Sequence, residues 1–368
     1  MKVFVVFGTR PEAIKMCPLV LELKKHKEID TIVCLTGQHR ELVSQVMSIF
    51  KLEEDYNLDI MKEKQTLTSI TISILDKLEN VLRQERPDIV LVHGDTTTSY
   101  AAALAAFYQK IPVGHVEAGL RTGNKYSPFP EEMNRVMTSR IAEYHFAPTQ
   151  NNKCNLEKEN IFNHIYVTGN TIIDSFRTTV RGNYVFENEE LQRIDFINKK
   201  VIVLTAHRRE NIGQPLNDIC KAIRQVVEEN EEIEVVYPVH PNPAVREIVN
   251  TVFNDCFRVH LLSPIDVLDM HNLIARSYFV VTDSGGLQEE APALGKPVLV
   301  VRTETERPEA VEAGTVKVVG VERNDIYQAA TELLSDYSEY QRMSLAVSPY
   351  GDGHASERIV KILLEHNK

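Results

Sequence analysis

Val3-Phe4-Val5-Val6-Phe7-Gly8-Thr9-Arg10-Pro11-Glu12 is the stretch from which the fold is read. An apolar run too short for a helix stops at a glycine, and Pro11 follows where a helix starts. A run apolar at every position is buried on both faces, the mark of a strand in a parallel sheet. Proline suits the first helical turn, because the N–H it lacks has no partner there anyway. The same transition recurs along the chain. Residues 89–92 empty into His93-Gly94-Asp95-Thr96-Thr97, and residues 113–116 into Glu117-Ala118-Gly119-Leu120-Arg121. Residues 201–204 lead to Thr205-Ala206-His207-Arg208-Arg209, and residues 279–281 to Thr282-Asp283-Ser284-Gly285-Gly286. Ligands of open α/β sheets bind beyond the carboxyl ends of the strands. Here those ends carry acids, cations and small residues from both halves of the chain. The expectation is an enzyme acting on an anionic ligand held between two domains.

Outward from these runs, strands are predicted at 3–7, 31–35, 88–92, 112–116, 145–147 and 165–168, with helices at 13–25, 67–82 and 99–108. Residues 181–200 are polar and break the pattern, so they read as the entry to a second domain, with a hinge near Gly169-Asn170. Strands resume at 201–204, 235–237, 258–261, 279–281, 298–301 and 316–319, and an amphipathic helix closes the chain at 355–364. Such alternation implies an α/β fold of two doubly wound, Rossmann-like domains.

A chain of 368 residues is long for one core, which agrees with two domains. An apolar content of 43% with mixed charge excludes a disordered or fibrous protein. The formal net charge of −11 argues against a nucleic-acid-binding protein, so the cations at the strand ends suit a few phosphates. Cys17, Cys34, Cys154, Cys220 and Cys256 are scattered with no C-x-x-C pair, which suits a reduced, cytoplasmic protein. The first apolar run is too short for a secretory signal, and no run approaches membrane-spanning length.

The glycine turn at Gly8 departs from both the dinucleotide fingerprint and the nucleotide-hydrolase loop. Arg10 and Lys15 either face a ligand or are solvated beside a helix started by Pro11. In Asp283-Ser284-Gly285-Gly286, Ser284 is expected to cap a helix, with the two glycines in its first turn admitting a ligand oxygen to backbone N–H groups. Glu290, about two turns into that helix, can accept two hydroxyls, as a ribose offers; Arg307 is a further phosphate partner. Asp95 and Glu117 follow strands joined by one helix, and Glu131 opens the helix after Ser127-Pro128-Phe129-Pro130. Each acid alone reads as a cap or a dipole partner, a role open to Glu132 as well. Three carboxylates converging beside His207, Arg208 and Arg209 read instead as acid/base groups. His207 is either neutral and buried or protonated against a diphosphate. His240 reads as a lone histidine in a turn. No spacing of histidines and carboxylates suggests a metal, so neither a metal nor a nicotinamide cofactor is expected.

Taken together, Gly8-Thr9-Arg10-Pro11-Glu12-Ala13-Ile14-Lys15-Met16, His93-Gly94-Asp95-Thr96, His115-Val116-Glu117-Ala118-Gly119-Leu120-Arg121-Thr122 and Ser127-Pro128-Phe129-Pro130-Glu131-Glu132 resemble the non-hydrolysing UDP-N-acetylglucosamine 2-epimerases. His207-Arg208-Arg209-Glu210-Asn211, Thr282-Asp283-Ser284-Gly285-Gly286, Gln288-Glu289-Glu290-Ala291-Pro292 and Glu306-Arg307-Pro308-Glu309 continue the resemblance across the chain. It implies the glycosyltransferase-B architecture with a central cleft, the first domain spanning 1–169 and regaining the terminal helix at about 354–368, the second spanning 170–353. It implies Asp95, Glu117 and Glu131 as the acid/base set with His207 near the diphosphate. Arg10, Lys15, Arg208, Ser284, Gly285, Gly286 and Arg307 resemble phosphate contacts, and Glu290 a ribose contact. Met270 stands where many relatives carry an aromatic beside the base; its polarizable sulfur can still pack on uracil. Gln38-His39-Arg40 resembles a segment that contacts a second, activating UDP-N-acetylglucosamine in some bacterial relatives. The family further implies a homodimer supplying UDP-N-acetylmannosamine for surface polysaccharides. A hydrolysing epimerase, an epimerase of a related UDP-2-acetamido sugar, a glycosyltransferase of the same fold and a non-catalytic nucleotide-sugar sensor are the alternatives.

Overall fold

The first apolar run forms strand β1 (Lys2–Phe7), and its residues from Val3 to Phe7 are wholly buried. Side chains alternate between the faces of a strand, so a run apolar at every position needs cover on both. Val3, Val5 and Phe7 share a core with Met16, Leu19 and Leu23 of the helix Arg10–Lys24. Phe4 and Val6 share another with Ile74, Leu78 and Leu82 of the helix Leu67–Glu85 and with alanines of the helix Thr97–Tyr108. The computed structural model describes residues 1–38, 40–62 and 65–366.

The chain divides into two compact units, one of Met1–Thr178 with Tyr350–Lys368, the other of Thr179–Pro349. In the first, β2 (Asp30–Leu35), β3 (Tyr56–Asn57), β4 (Ile89–His93), β5 (Val113–Val116), β6 (Tyr144–Ala147) and β7 (Ile165–Val167) join β1 in an all-parallel sheet ordered β3-β2-β1-β4-β5-β6-β7. The order reverses between β1 and β4, where a doubly wound sheet opens a crevice at its carboxyl edge. Two-residue β3 had no apolar run to announce it. The boundary between the units falls between Thr178 and Thr179, at the last residue of the helix Thr171–Thr179. Asp174 of that helix accepts the N–H groups of Ala355 at 3.1 Å and Ser356 at 2.7 Å, at the start of the closing helix Ala355–His366. Ile359, Val360 and Leu363 of this closing helix are buried in the first unit's core.

In the second unit, β8 (Lys200–Thr205), β9 (Ile233–Pro238), β10 (Val259–Leu262), β11 (Phe279–Thr282), β12 (Val298–Val300) and β13 (Val316–Val318) form a parallel sheet ordered β10-β9-β8-β11-β12-β13. The polar segment before β8 is fastened to this unit. Buried Asp269 accepts the Tyr184 hydroxyl at 2.8 Å and the N–H groups of Glu187 and Asn188, both at 2.9 Å. Both sheets have the Rossmann strand order, so the fold is α/β as the sequence predicts. Among the described residues no helix is long and apolar enough to cross a membrane.

Candidate functional site

In the first unit the turn after β1 is built around Glu12. Its Oε2 accepts the N–H groups of Gly8 at 3.0 Å and Thr9 at 2.8 Å, while Thr9 accepts the Glu12 N–H, closing a capping box. The other oxygen accepts the hydroxyls of Thr96 at 2.6 Å and Ser99 at 3.0 Å, which ties this turn to the one after β4. Four hydrogen bonds satisfy a carboxylate that is otherwise buried. Arg10, at the helix start, is partly exposed.

Lys15 lies one turn further along. Its ammonium pairs with Oε2 of Glu117, which also accepts Asn170 Nδ2 at 2.9 Å. Glu117 follows β5 directly and holds φ at 64°, the left-handed region that ordinarily favours glycine. Nε2 of buried His93 stands 3.7 Å from the same oxygen and has no hydrogen-bond partner among the described residues. Burial lowers the His93 imidazole below its ordinary range, against the opposing pull of Glu117. Behind it His115, bonded through Nε2 to the Gly94 carbonyl at 2.7 Å, is pushed by burial down to about 3.

Asp95 follows β4, the strand beside β5. One oxygen, Oδ2, receives Arg135 Nη2 at 2.6 Å and Nε at 3.0 Å, and Asn134 Nδ2 reaches the Asp95 carbonyl at 2.9 Å. Arg135 and Asn134 lie on the helix Glu131–Ile141. Glu131 opens that helix and is half-buried, and its carboxylate makes no hydrogen bond or ion pair among the described residues. Glu132 is a different case from the helix-dipole role the sequence left open. It is buried, accepts the N–H groups of Thr122 at 3.1 Å and Gly123 at 3.0 Å, and pairs with Arg135 Nη1 at 3.1 Å. Gln38 accepts the Thr98 hydroxyl at 3.1 Å; His39 lies outside the described residues.

In the second unit Asp283, wholly buried after β11, organises the turn after β8. Its Oδ2 accepts the N–H groups of His207 and Arg208, each at 2.8 Å, and Asn211 Nδ2 at 3.0 Å. The His207 ring stands with Nδ1 3.5 Å from the other Asp283 oxygen. It stacks on His240 at 5.3 Å with the planes 6° apart, so His240 is not a lone histidine. Burial lowers the His207 imidazole more than Asp283 raises it.

The turn beyond Asp283 corrects two expectations. Ser284 does not cap the helix: the helix Leu287–Ala293 begins after Gly286, with no side-chain cap, and the Ser284 N–H turns back to Thr282 Oγ1 at 2.9 Å. The glycines therefore precede the helix, and Glu290 lies in its first turn rather than two turns in. A Cβ on Gly285 would stand 3.5 Å from the Arg307 guanidinium and 3.7 Å from Arg208 Nη2, so the bare backbone here faces two cations. Arg307 is aimed by buried Glu289, which takes its Nε at 2.6 Å. Oε2 of Glu290 lies 3.6 Å from His271 Nε2, while His271 Nδ1 meets the Thr179 hydroxyl at 2.8 Å. Met270, half-buried, neighbours His271 on the helix Val267–Arg276.

The first unit thus gathers Lys15, Glu117, His93 and Asn170 at one strand end and Asp95 with Arg135 at the next. The second gathers Arg208, Arg307, Gly285 and His207. Sequence reasoning missed Asn170, Arg135, Glu289 and the work of Glu12. The Thr9-x-x-Glu12 spacing signalled a capping box, and Arg135 stands at i+4 from Glu131, but nothing local marks Asn170.

The model of the UDP-N-acetylglucosamine 2-epimerase family matches residues 21–364. The chain is 58% identical over 367 residues to the UDP-N-acetylglucosamine 2-epimerase of Bacillus subtilis, covering 100% of this chain and 96% of that one. It superposes with a TM-score of 0.91 and 49% identity on the Neisseria meningitidis UDP-GlcNAc 2-epimerase solved bound to UDP-GlcNAc, covering 99% and 100% of the two chains. The glycotransferase of kitacinnamycin, at 12% identity and a TM-score of 0.65 over 99% of this chain and 98% of its own, shares the glycosyltransferase-B fold alone.

Proposed function

The chain belongs to the UDP-N-acetylglucosamine 2-epimerase family, and from that premise we propose that it interconverts UDP-N-acetylglucosamine and UDP-N-acetylmannosamine without hydrolysis, by eliminating and re-adding UDP. The C2 proton has no adjacent carbonyl, so its simple removal and return is slow. In the elimination a base takes that proton, the C2–H electron pair becomes the C1–C2 double bond, and the C1–O pair leaves on UDP. Re-addition reverses these steps with the proton delivered to the opposite face of C2.

Asp95, Glu117 and Glu131 form the acid/base set. Arg208, Arg307, Ser284 and the backbone of Gly285 and Gly286 hold the diphosphate, with Arg10 and Lys15 as further cations. Glu290 takes the ribose hydroxyls and Met270 packs on the uracil. His207, whose imidazole burial lowers below its ordinary range, stands by the diphosphate to hydrogen-bond it as the charge on the leaving UDP develops. No metal ion or nicotinamide takes part.

The observation that carries this reading is the backbone of Glu117. A non-glycine residue at φ 64° costs about 1–2 kcal/mol. That cost is met at the residue whose carboxylate is held by Lys15 and Asn170, as expected where a side chain is needed at one point for chemistry. Proton NMR of UDP-N-acetylglucosamine turnover in D2O tests the proposal. UDP-N-acetylmannosamine bearing deuterium at C2 is expected. Conversion without deuterium overturns the elimination, and UDP with free N-acetylmannosamine as the main products makes the enzyme a hydrolysing one.

A further inference from the structure

We propose that Arg135 is a positioning residue that decides which oxygen of Asp95 handles the proton. The inference rests on the reading of Asp95 as an acid/base group. Both Arg135 contacts, Nη2 at 2.6 Å and Nε at 3.0 Å, go to Oδ2. An oxygen already accepting two charged N–H donors has no lone pair well placed to take a proton. Among the described residues nothing hydrogen-bonds Oδ1, and the Asp95 side chain keeps 26% of its surface open. Oδ1 is therefore the atom that gives and receives the proton.

The guanidinium is itself fixed. Arg135 is buried, and its remaining nitrogen, Nη1, meets Glu132 Oε2 at 3.1 Å. Glu132 in turn grips the backbone of Thr122 and Gly123. Asn134, on the same helix, holds the Asp95 carbonyl at 2.9 Å. One helix thus pins Asp95 by backbone and side chain, while Glu131, one turn before Arg135, shares its face. A buried arginine with every nitrogen committed leaves the aspartate one way to point.

The experiment compares Arg135→Lys, and Arg135→Met in a Glu132→Gln background so that no lone buried charge remains, with Asp95→Asn. Thermal melts, kcat and KM for UDP-N-acetylglucosamine are measured for each. For folded Glu132→Gln/Arg135→Met, kcat is expected to fall about 100-fold below Glu132→Gln alone with KM within about threefold, the pattern of lost acid/base placement. Arg135→Lys should recover part of the loss, since an ammonium meets the carboxylate without the two-pronged grip. A folded double variant with kcat within threefold of its background, while Asp95→Asn is inactive, overturns the role of Arg135 alone. Activity retained in Asp95→Asn overturns the underlying reading of Asp95. If even Arg135→Lys loses activity only in step with its folded fraction, Arg135 is structural and the proposal fails.

Discussion

Glu131 and Glu132 are chemically identical neighbours with opposite surroundings. Glu132 is buried under two backbone N–H groups and a guanidinium, whereas Glu131 is half-buried and unbonded among the described residues. Breaking a buried ion pair is expected to cost about 3 kcal/mol, so Glu132→Gln should lower the urea midpoint clearly. Glu131→Gln should leave the unfolding free energy within about 0.5 kcal/mol of wild type, since its carboxylate holds no buried partner among the described residues. Its kcat should instead fall roughly 10²–10⁴-fold. Unchanged kcat in Glu131→Gln would remove Glu131 from the acid/base set. The two arginines divide in the same way. Arg307→Ala removes the cation paired with buried Glu289 and should lose both stability and UDP affinity in calorimetry. Arg208→Ala should lose affinity with little change in melting temperature.

Turns separate into those that hold the fold and those left bare for a ligand. At Gly119 a Cβ would stand 2.2 Å from the Asn152 carbonyl oxygen, and φ is +92°. Gly119→Ala should therefore destabilise the first unit severely, read as a lower melting temperature or insoluble protein. At Gly285 a Cβ has room, its nearest neighbours being the two guanidinium groups at 3.5 and 3.7 Å. Gly285→Ala should melt like wild type yet bind UDP at least tenfold more weakly, because the methyl takes the space facing both cations. Equal UDP affinity would show that no ligand approaches that backbone. The closing helix belongs with the structural elements. Leu363→Ala empties a fully packed site in the first unit and should cost about 2–5 kcal/mol in a urea melt.

For the molecule as a whole, the buried histidines lead to an expected acid sensitivity of stability. His115 is pushed down to about 3 and His145 to about 4, both chiefly by burial, from an ordinary 6.5. Unfolding frees them to bind protons, so below about 6.5 the unfolded chain holds more protons than the folded one. Stability is then fully present above that pH and declines as pH falls from about 6.5 toward 4. Melting temperatures measured from pH 8 to 4 should fall on the acid side, and His115→Asn should flatten the decline. An equal slope in that variant would assign the acid sensitivity to other groups.

Fold class and the strands of both series apart from β3 were legible in the sequence, because a strand covered on both faces must be apolar at every position and the break in that run is a local event. Residues 3–7 and 279–281 announce their strands with no knowledge of their neighbours. Polar partnership is not local. Asn170 reaches Glu117, Arg135 reaches Asp95 and Glu12 reaches Thr96 across long stretches of chain, and only the packing of helices on the sheet decides these pairs. The same holds for the cap that the sequence placed wrongly: Ser284 has a good capping side chain, but the helix starts only at Leu287, with Gly286 in the cap position. Composition along the chain determined where the strands end and which charges stand there; tertiary structure decided which of those charges are buried, bonded and held still, because burial and hydrogen-bond geometry depend on atoms brought together from distant parts of the chain.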